Sequence, residues 1–237
     1  MPTWRVRSEV WEKAGLGEYK GMQPWVLIVR GVKPKNTFRL YLRTKFKSKV
    51  EGKRVYLVVE KASLWNLSVN GVSVSTLTSE WHWDRNFGKI DISKYVKVGE
   101  NVITISCQYD VDTPVENLYL VGDFGVERIS DTEYILTDEL EIIKDGDWTS
   151  QGYPFYSGIM RYQTAFTLKD TGDRILIRLN GAKGSLFLVS VNDGVSIPIC
   201  WNPLEADITN HVRKGKNTLT IDVVSTLRNT FGPLHHK

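Results

Sequence analysis

Apolar and polar residues alternate with a period of two along most of the chain, and runs with helical spacing are scarce. The alternation predicts strands over Phe38–Phe46, Val55–Glu60, Trp65–Val69, Val102–Cys107 and Tyr134–Ile143. Further strands are predicted over Arg161–Leu168, Ile175–Asn180, Leu186–Val191 and Thr218–Val224. Turn-forming residues punctuate them at Asn70-Gly71, Gly99-Glu100-Asn101, Asp145-Gly146-Asp147, Asn192-Asp193-Gly194 and Gly215-Lys216-Asn217. Many short strands separated by such turns predict an all-β sandwich or jelly roll. The first 35 residues carry no comparable pattern and stay poorly assigned.

The pattern occurs twice. Residues 90–105 read IDISKYVKVGENVITI, and residues 206–221 read ADITNHVRKGKNTLTI, matching without a gap. Upstream, Val69-Asn70-Gly71 corresponds to Val191-Asn192-Asp193-Gly194, Val55–Glu60 to Ile175–Asn180, and Tyr41–Phe46 to Tyr162–Phe166. Four elements recur in one order, so the chain is read as two tandem β-sandwich modules, 1–130 and 131–237. Within the repeated block, Asp91 and Asp207 precede a short helical turn, where a carboxylate can accept orphan backbone N–H groups. The glycine of each Gly-x-Asn supplies a left-handed turn conformation before the next strand. These aspartates are therefore expected to cap turns, not to catalyse.

The 237 residues allow two modules of ordinary size, each able to bury a core. Hydrophobic residues make up 41% and charged residues 24%, the balance of a globular protein without metal or disulfide staples. The two cysteines, Cys107 and Cys200, have no ligand spacing. Net charge is +4, but the Lys and Arg are scattered, so no nucleic-acid partner is expected. No apolar run is long enough to span a membrane, and the N-terminus has no signal-peptide pattern, so the expected location is cytoplasmic by default. A domain of a longer secreted protein would look the same.

Val-Asn-Gly, a Trp-containing stretch, Asp-Ile-[Ser/Thr] and then Gly-x-Asn before an alternating strand together resemble the galactose-binding-like jelly roll. That module is the sugar-binding domain of glycoside hydrolase family 2 and related bacterial enzymes. Residues 152–162, GYPFYSGIMRY, are similar to its opening strand, and residues 227–236, LRNTFGPLHH, to the C-terminal end of large bacterial glycosidase-like proteins. The resemblance covers roughly residues 35–237. It implies a non-catalytic, ancillary or carbohydrate-binding module pair, with a glycoside hydrolase catalytic domain or a second copy of the chain as partner. A free-standing lectin-like protein, a purely structural interaction subunit and a divergent enzyme are the alternatives.

Eight Trp supply the candidate ligand site. In Trp81-His82-Trp83-Asp84, an extended backbone would put both indoles on one face and His82 on the other. Two indoles can stack on a sugar while His82 or Asp84 bonds its hydroxyls; core packing is the alternative. Trp83 is matched with Trp201 in the second module, which favours a role in the fold for both. A second aromatic group, Trp148, Tyr153, Phe155 and Tyr156 beside Arg161, is either a binding surface or packing at the start of module two. Glycosidase chemistry needs two carboxylates facing each other across a bond. Glu60, Asp84, Asp110, Asp112, Glu116, Asp123 and Glu205 form no such motif in sequence. No cofactor is expected, although Asp110, Asp112 and Glu116 allow a structural Ca²⁺. The tail residues His235 and His236 are read as a disordered or docking segment, with Phe231 and Leu234 covered by a catalytic domain, a second copy of the chain or the first module.

Overall fold

The structure is a computed structural model that describes residues 3–19, 24–130, 133–172 and 174–230. The tail residues Phe231 to His236 lie outside the described residues. The chain divides into two compact units, Met1–Leu140 and Glu141–Lys237. Both are built from strands, with two short helices near the N-terminus.

In the first unit, helices α1 (Thr3–Lys13) and α2 (Pro24–Val29) precede ten strands. These are β1 (Arg39–Ser48), β2 (Val55–Glu60), β3 (Asn66–Val69), β4 (Val72–Val74), β5 (Trp81–His82) and β6 (Asp84–Asp91). They continue with β7 (Gly99–Gln108), β8 (Tyr119–Gly122), β9 (Gly125–Arg128) and β10 (Tyr134–Thr137). A six-stranded sheet runs β4-β3-β7-β1-β10-β9, and a four-stranded sheet runs β5-β6-β2-β8. Leu57, Val59 and Ile90 of the smaller sheet pack in one core with Leu67, Val69, Ile103 and Ile105 of the larger. Burying a side chain such as Leu57 completely stabilises the fold by about 1.5–3 kcal/mol. Helix α1 adds to this core through Val6 and Val10, with Ala14 just past its end, a row spaced by four residues. The sequence held that spacing, but a single short row at a terminus is a weak signal beside the strand pattern.

The second unit contains β11 (Ile159–Leu168), β12 (Leu176–Arg178), β13 (Leu186–Val191), β14 (Ile197–Ile199), β15 (Glu205–Asp207) and β16 (Gly215–Val224). The sheet β11-β16-β13-β14 faces the pair β12-β15 across a core of Phe187, Val189, Val191, Ala206, Ile208 and Val223. Each unit is thus an all-β sandwich.

The repeated block folds alike in both. Asp91 Oδ1 accepts the backbone N–H of Ser93 at 2.9 Å, and Asp207 Oδ1 that of Thr209 at 3.0 Å. The hydroxyl of Ser93 in turn accepts the N–H of Val55 at 3.0 Å, and that of Thr209 the N–H of Ile175 at 2.9 Å. The carboxylates close a turn two residues on, as Asx residues do, and the hydroxyls tie that turn to the neighbouring strand of the same sheet. Gly99 and Gly215 adopt φ of +97° and +89°. A Cβ would meet nothing there, so the left-handed backbone and not crowding calls for glycine.

Two sequence correspondences shift. The strand predicted over Tyr134–Ile143 ends at Thr137 and pairs with β9 and β1, so the first unit extends to Leu140 instead of ending near 130. Strand registers set Tyr41 opposite Ser106 and Arg161 opposite Asp222, so Tyr41 shares its place with Arg161, not Tyr162. Tyr162 takes the inward place of Leu42.

Candidate functional site

Trp81 and Trp83 bracket the tip of the β5–β6 hairpin. A bulge falls between Trp81 and His82, and Trp83 turns the chain at φ +64°. Bulge and turn break the period of two, so the two indoles do not form one platform as the sequence predicts. Trp83, 45% exposed, stands edge-on to Tyr119 at 4.9 Å and to Phe87 at 6.4 Å. Phe87 lies opposite Glu60 and Tyr119 opposite Val58, which places this aromatic cluster on the sheet face away from the core. The His82 ring sits 4.4 Å from that of Trp83. Burial, and then the charge of Lys89, push the His82 imidazole below its ordinary pKa, so it stays neutral near pH 7. Asp84 Oδ1 accepts the N–H of Asn86 at 2.8 Å and fixes the start of β6.

Trp81 lies opposite Gly88 and lines an open cleft of about 1000 Å³. The indole is 52% exposed. With Leu64 and Leu77 it forms the apolar part of the wall. Thr76, Thr78, Asn86, Asp110, Asp112 and Lys61 supply the polar part. Several of these groups are positioned by the backbone. The Thr76 hydroxyl donates to the carbonyl of Trp65 at 3.0 Å and that of Thr78 to the carbonyl of Lys89 at 2.9 Å. Lys61 pairs with the Asp112 carboxylate, and Asp110 Oδ1 accepts the N–H of Val111 at 2.7 Å. Gly88 and Ala62 form the floor, and a Cβ on Gly88 would come within 2.5 Å of that of Ala62. Only a residue without a side chain lets the hairpin approach this closely.

The aromatic group of the second unit divides. Trp148 is 8% exposed and belongs to the core, so it is not available as a surface ligand contact. It closes the start of this small sandwich, where β12 and β15 form a sheet of only two strands. The Tyr156 hydroxyl donates to the carbonyl of Ile159 at 2.9 Å, and its ring stands edge-on to Tyr153, bracing the entrance to β11. The match of Trp83 with Trp201 does not hold either. Trp83 precedes Asp91 by eight residues and Trp201 precedes Asp207 by six, and Trp201 is 77% exposed. Core packing therefore explains neither indole.

Most of the acidic candidates are engaged singly. Asp112 pairs with Lys61, Glu116 with Arg7, Asp123 with Arg54 and Glu205 with Arg178. Glu60 is half-buried, and desolvation, followed by repulsion from Glu116, raises its carboxyl pKa. Among the described residues, no group of three His, Cys, Asp or Glu side chains is placed to hold a metal ion. Sequence reasoning missed Leu64 and Leu77, which a helical turn and a loop carry into the cleft, and Phe87 and Tyr119, which strand pairing brings to the hairpin.

A tandem pair of all-β sandwiches with an aromatic cleft in its first unit is the class that fold and geometry define. No protein-family model matches the chain, and no curated protein sequence matches it. Among solved structures, it is similar to Streptomyces avermitilis alpha-L-rhamnosidase complexed with L-rhamnose, at 15% identity and TM-score 0.32 over 79% of this chain. It is also similar to a rhamnosidase from Novosphingobium sp., at 22% identity and TM-score 0.31 over 86% of this chain. A glycosyl hydrolase family 2 member from Bacteroides cellulosilyticus matches at 10% identity and TM-score 0.24 over 79% of this chain. The chain spans 22% of the length of each rhamnosidase and 24% of the family 2 protein. Among the described residues, no helix is long and apolar enough to cross a membrane.

Proposed function

We propose that this chain is a non-catalytic, carbohydrate-binding ancillary module pair of a glycoside hydrolase, with the sugar seated against Trp81. The observation that carries the reading is an exposed indole standing in a cleft that sets apolar residues such as Leu64 and Leu77 beside hydroxyl, amide and charged side chains. A pyranose ring has an apolar C–H face and a rim of hydroxyls, and that division matches the wall. Stacking against Trp81 supplies contact area, while Thr78, Asn86 and Asp110 present donors and acceptors for the rim. The cleft volume lies at the upper end of the roughly 300–1000 Å³ of small-molecule sites. The duplicated Asp-Ile-[Ser/Thr] and Gly-x-Asn block adds its resemblance to galactose-binding-like domains of family 2 hydrolases. Hydrolysis, in this reading, belongs to a separate domain or partner.

A glycan array probed with the intact chain tests the proposal. Retention of neutral oligosaccharides, lost in Trp81→Ala, is the expected result; an array with no ligand overturns it. One observation favours a second, structural reading. Trp83, Phe87 and Tyr119 form an aromatic cluster on the outer face of the four-stranded sheet, suited to docking on a catalytic domain. Under that reading Trp83→Ala weakens association with the catalytic domain and leaves the array unchanged.

A further inference from the structure

The outward side of the six-stranded sheet carries a different chemistry. Along β1, Arg39, Tyr41, Arg43, Lys45 and Lys47 alternate with inward residues and share the solvent face. Tyr41 is 65% exposed, although an exposed tyrosine ring gains nothing from the core. The Arg39 guanidinium lies 5.8 Å from the centre of that ring and donates to the Ser106 hydroxyl at 3.4 Å. Lys45 and Lys47 are neutralised by Glu100 and Glu133. Among the described residues, no carboxylate pairs with Arg39 or Arg43. Across the strands, Ser106 and Asn66 continue the row of Tyr41, and Thr104, Ser68 and Ser73 continue that of Arg43.

The second unit is an internal control. Its residue equivalent to Tyr41 is Arg161, and Asp222, equivalent to Ser106, neutralises it with two bonds of 2.7 and 2.8 Å. Ile159 and Gln163 replace the two arginines. The sandwich therefore forms without an exposed ring or unpaired guanidinium at these positions, so the fold does not account for them in the first unit.

We infer that Arg39, Tyr41 and Arg43 form a second glycan site, for a pyranose bearing an anionic group, carboxylate or sulfate. Tyr41 offers a surface for the sugar ring. The backbone positions of Arg39 and Arg43 lie roughly 7 Å to either side of Tyr41 along the strand, and their guanidiniums offer planar paired donors to the anion. Thr104, Ser68 and Asn66, which the strand register sets on the same face, offer hydroxyl and amide groups for the sugar hydroxyls. This site shares no residue with the Trp81 cleft and does not depend on it.

Isothermal titration of the intact chain with an oligogalacturonate and with a sulfated galactan oligomer tests the inference. At low salt at least one is bound, and binding weakens as salt rises. Arg39→Ala/Arg43→Ala and Tyr41→Ala each weaken it on the order of tenfold or more, with unchanged melting temperature. Lys45→Ala, which removes one charge from the same face but a paired one, leaves it intact. Whichever oligomer responds distinguishes carboxylate from sulfate, and methyl-esterified oligogalacturonate fails to bind. The inference is overturned if neither oligomer binds, if the double variant binds as tightly as wild type, or if only a single-stranded oligonucleotide binds.

Discussion

Asn70 and Asn101 hold each other through their side chains. Asn70 Nδ2 donates to Asn101 Oδ1 at 2.9 Å, and Asn192 repeats the bond to Asn217 at 2.8 Å. The surroundings repeat as well. Asn101 Oδ1 accepts the N–H of Lys97, as Asn217 Oδ1 accepts that of Arg213. Asn101 Nδ2 donates to the carbonyls of Lys97 and Gly99, as Asn217 Nδ2 does to those of Arg213 and Gly215. One amide thus satisfies the loop between the helical turn and the long strand, and its partner pins the β3 or β13 turn to it. Both Asn101 and Asn217 are buried, so these bonds have no water to replace them.

Asn101→Ala or Asn217→Ala is therefore expected to destabilise its own unit by about 2–3 kcal/mol, because buried loop groups lose their partners. At Asn70, which has φ +52°, Ala adds backbone strain that Gly does not. Chemical denaturation should rank wild type above Asn70→Gly, and Asn70→Gly above Asn70→Ala.

Gly88→Ala tests how the cleft floor is built. The new methyl would come within 2.5 Å of the Ala62 side chain, so β6 or the helical turn that carries Ala62 has to move. A loss of roughly 1–3 kcal/mol is expected, together with weaker ligand binding as β6 and the hairpin shift. Pairing it with Ala62→Gly should restore part of the stability in a double-mutant cycle.

Acid should act through Asp207. Hydrogen bonds from the Thr209 side chain and backbone, then from Arg174, hold its pKa at about 2 in the folded chain. A folded pKa below the unfolded one means stability that is complete above about pH 4 and is lost as pH falls toward 2. Asp91 is displaced in the same direction, mainly by the Ser93 hydroxyl. Melting temperature measured against pH should fall through that window. Asp207→Ala should melt lower at neutral pH and show a flatter acid limb.

The repeated block was legible because its polar residues answer to the backbone. Asp91, Gly99 and Asn101 each satisfy a turn that any copy of this sandwich needs, so spacing alone reveals them. The hairpin was legible only as a cluster of residue types. Its geometry depends on a bulge and on Trp83 adopting a left-handed conformation, neither of which the period-two pattern encodes. Trp148 shows the opposite limit, since an aromatic residue in a loop reads the same whether it covers a core or faces water. Tyr41 was hidden by a one-residue slip in matching β1 to β11, which exchanged an outward ring for an inward one.

The central claim is that Trp81 stacks on a sugar. It is tested most directly by titrating wild type and Trp81→Ala with the best neutral glycan from the array and melting both proteins in parallel. Removing a half-exposed indole should weaken binding by about 1–3 kcal/mol and leave the melting temperature within a degree or two. Wild-type affinity in Trp81→Ala, or a loss of about 3–5 kcal/mol of stability of the kind a core tryptophan gives, would contradict the account.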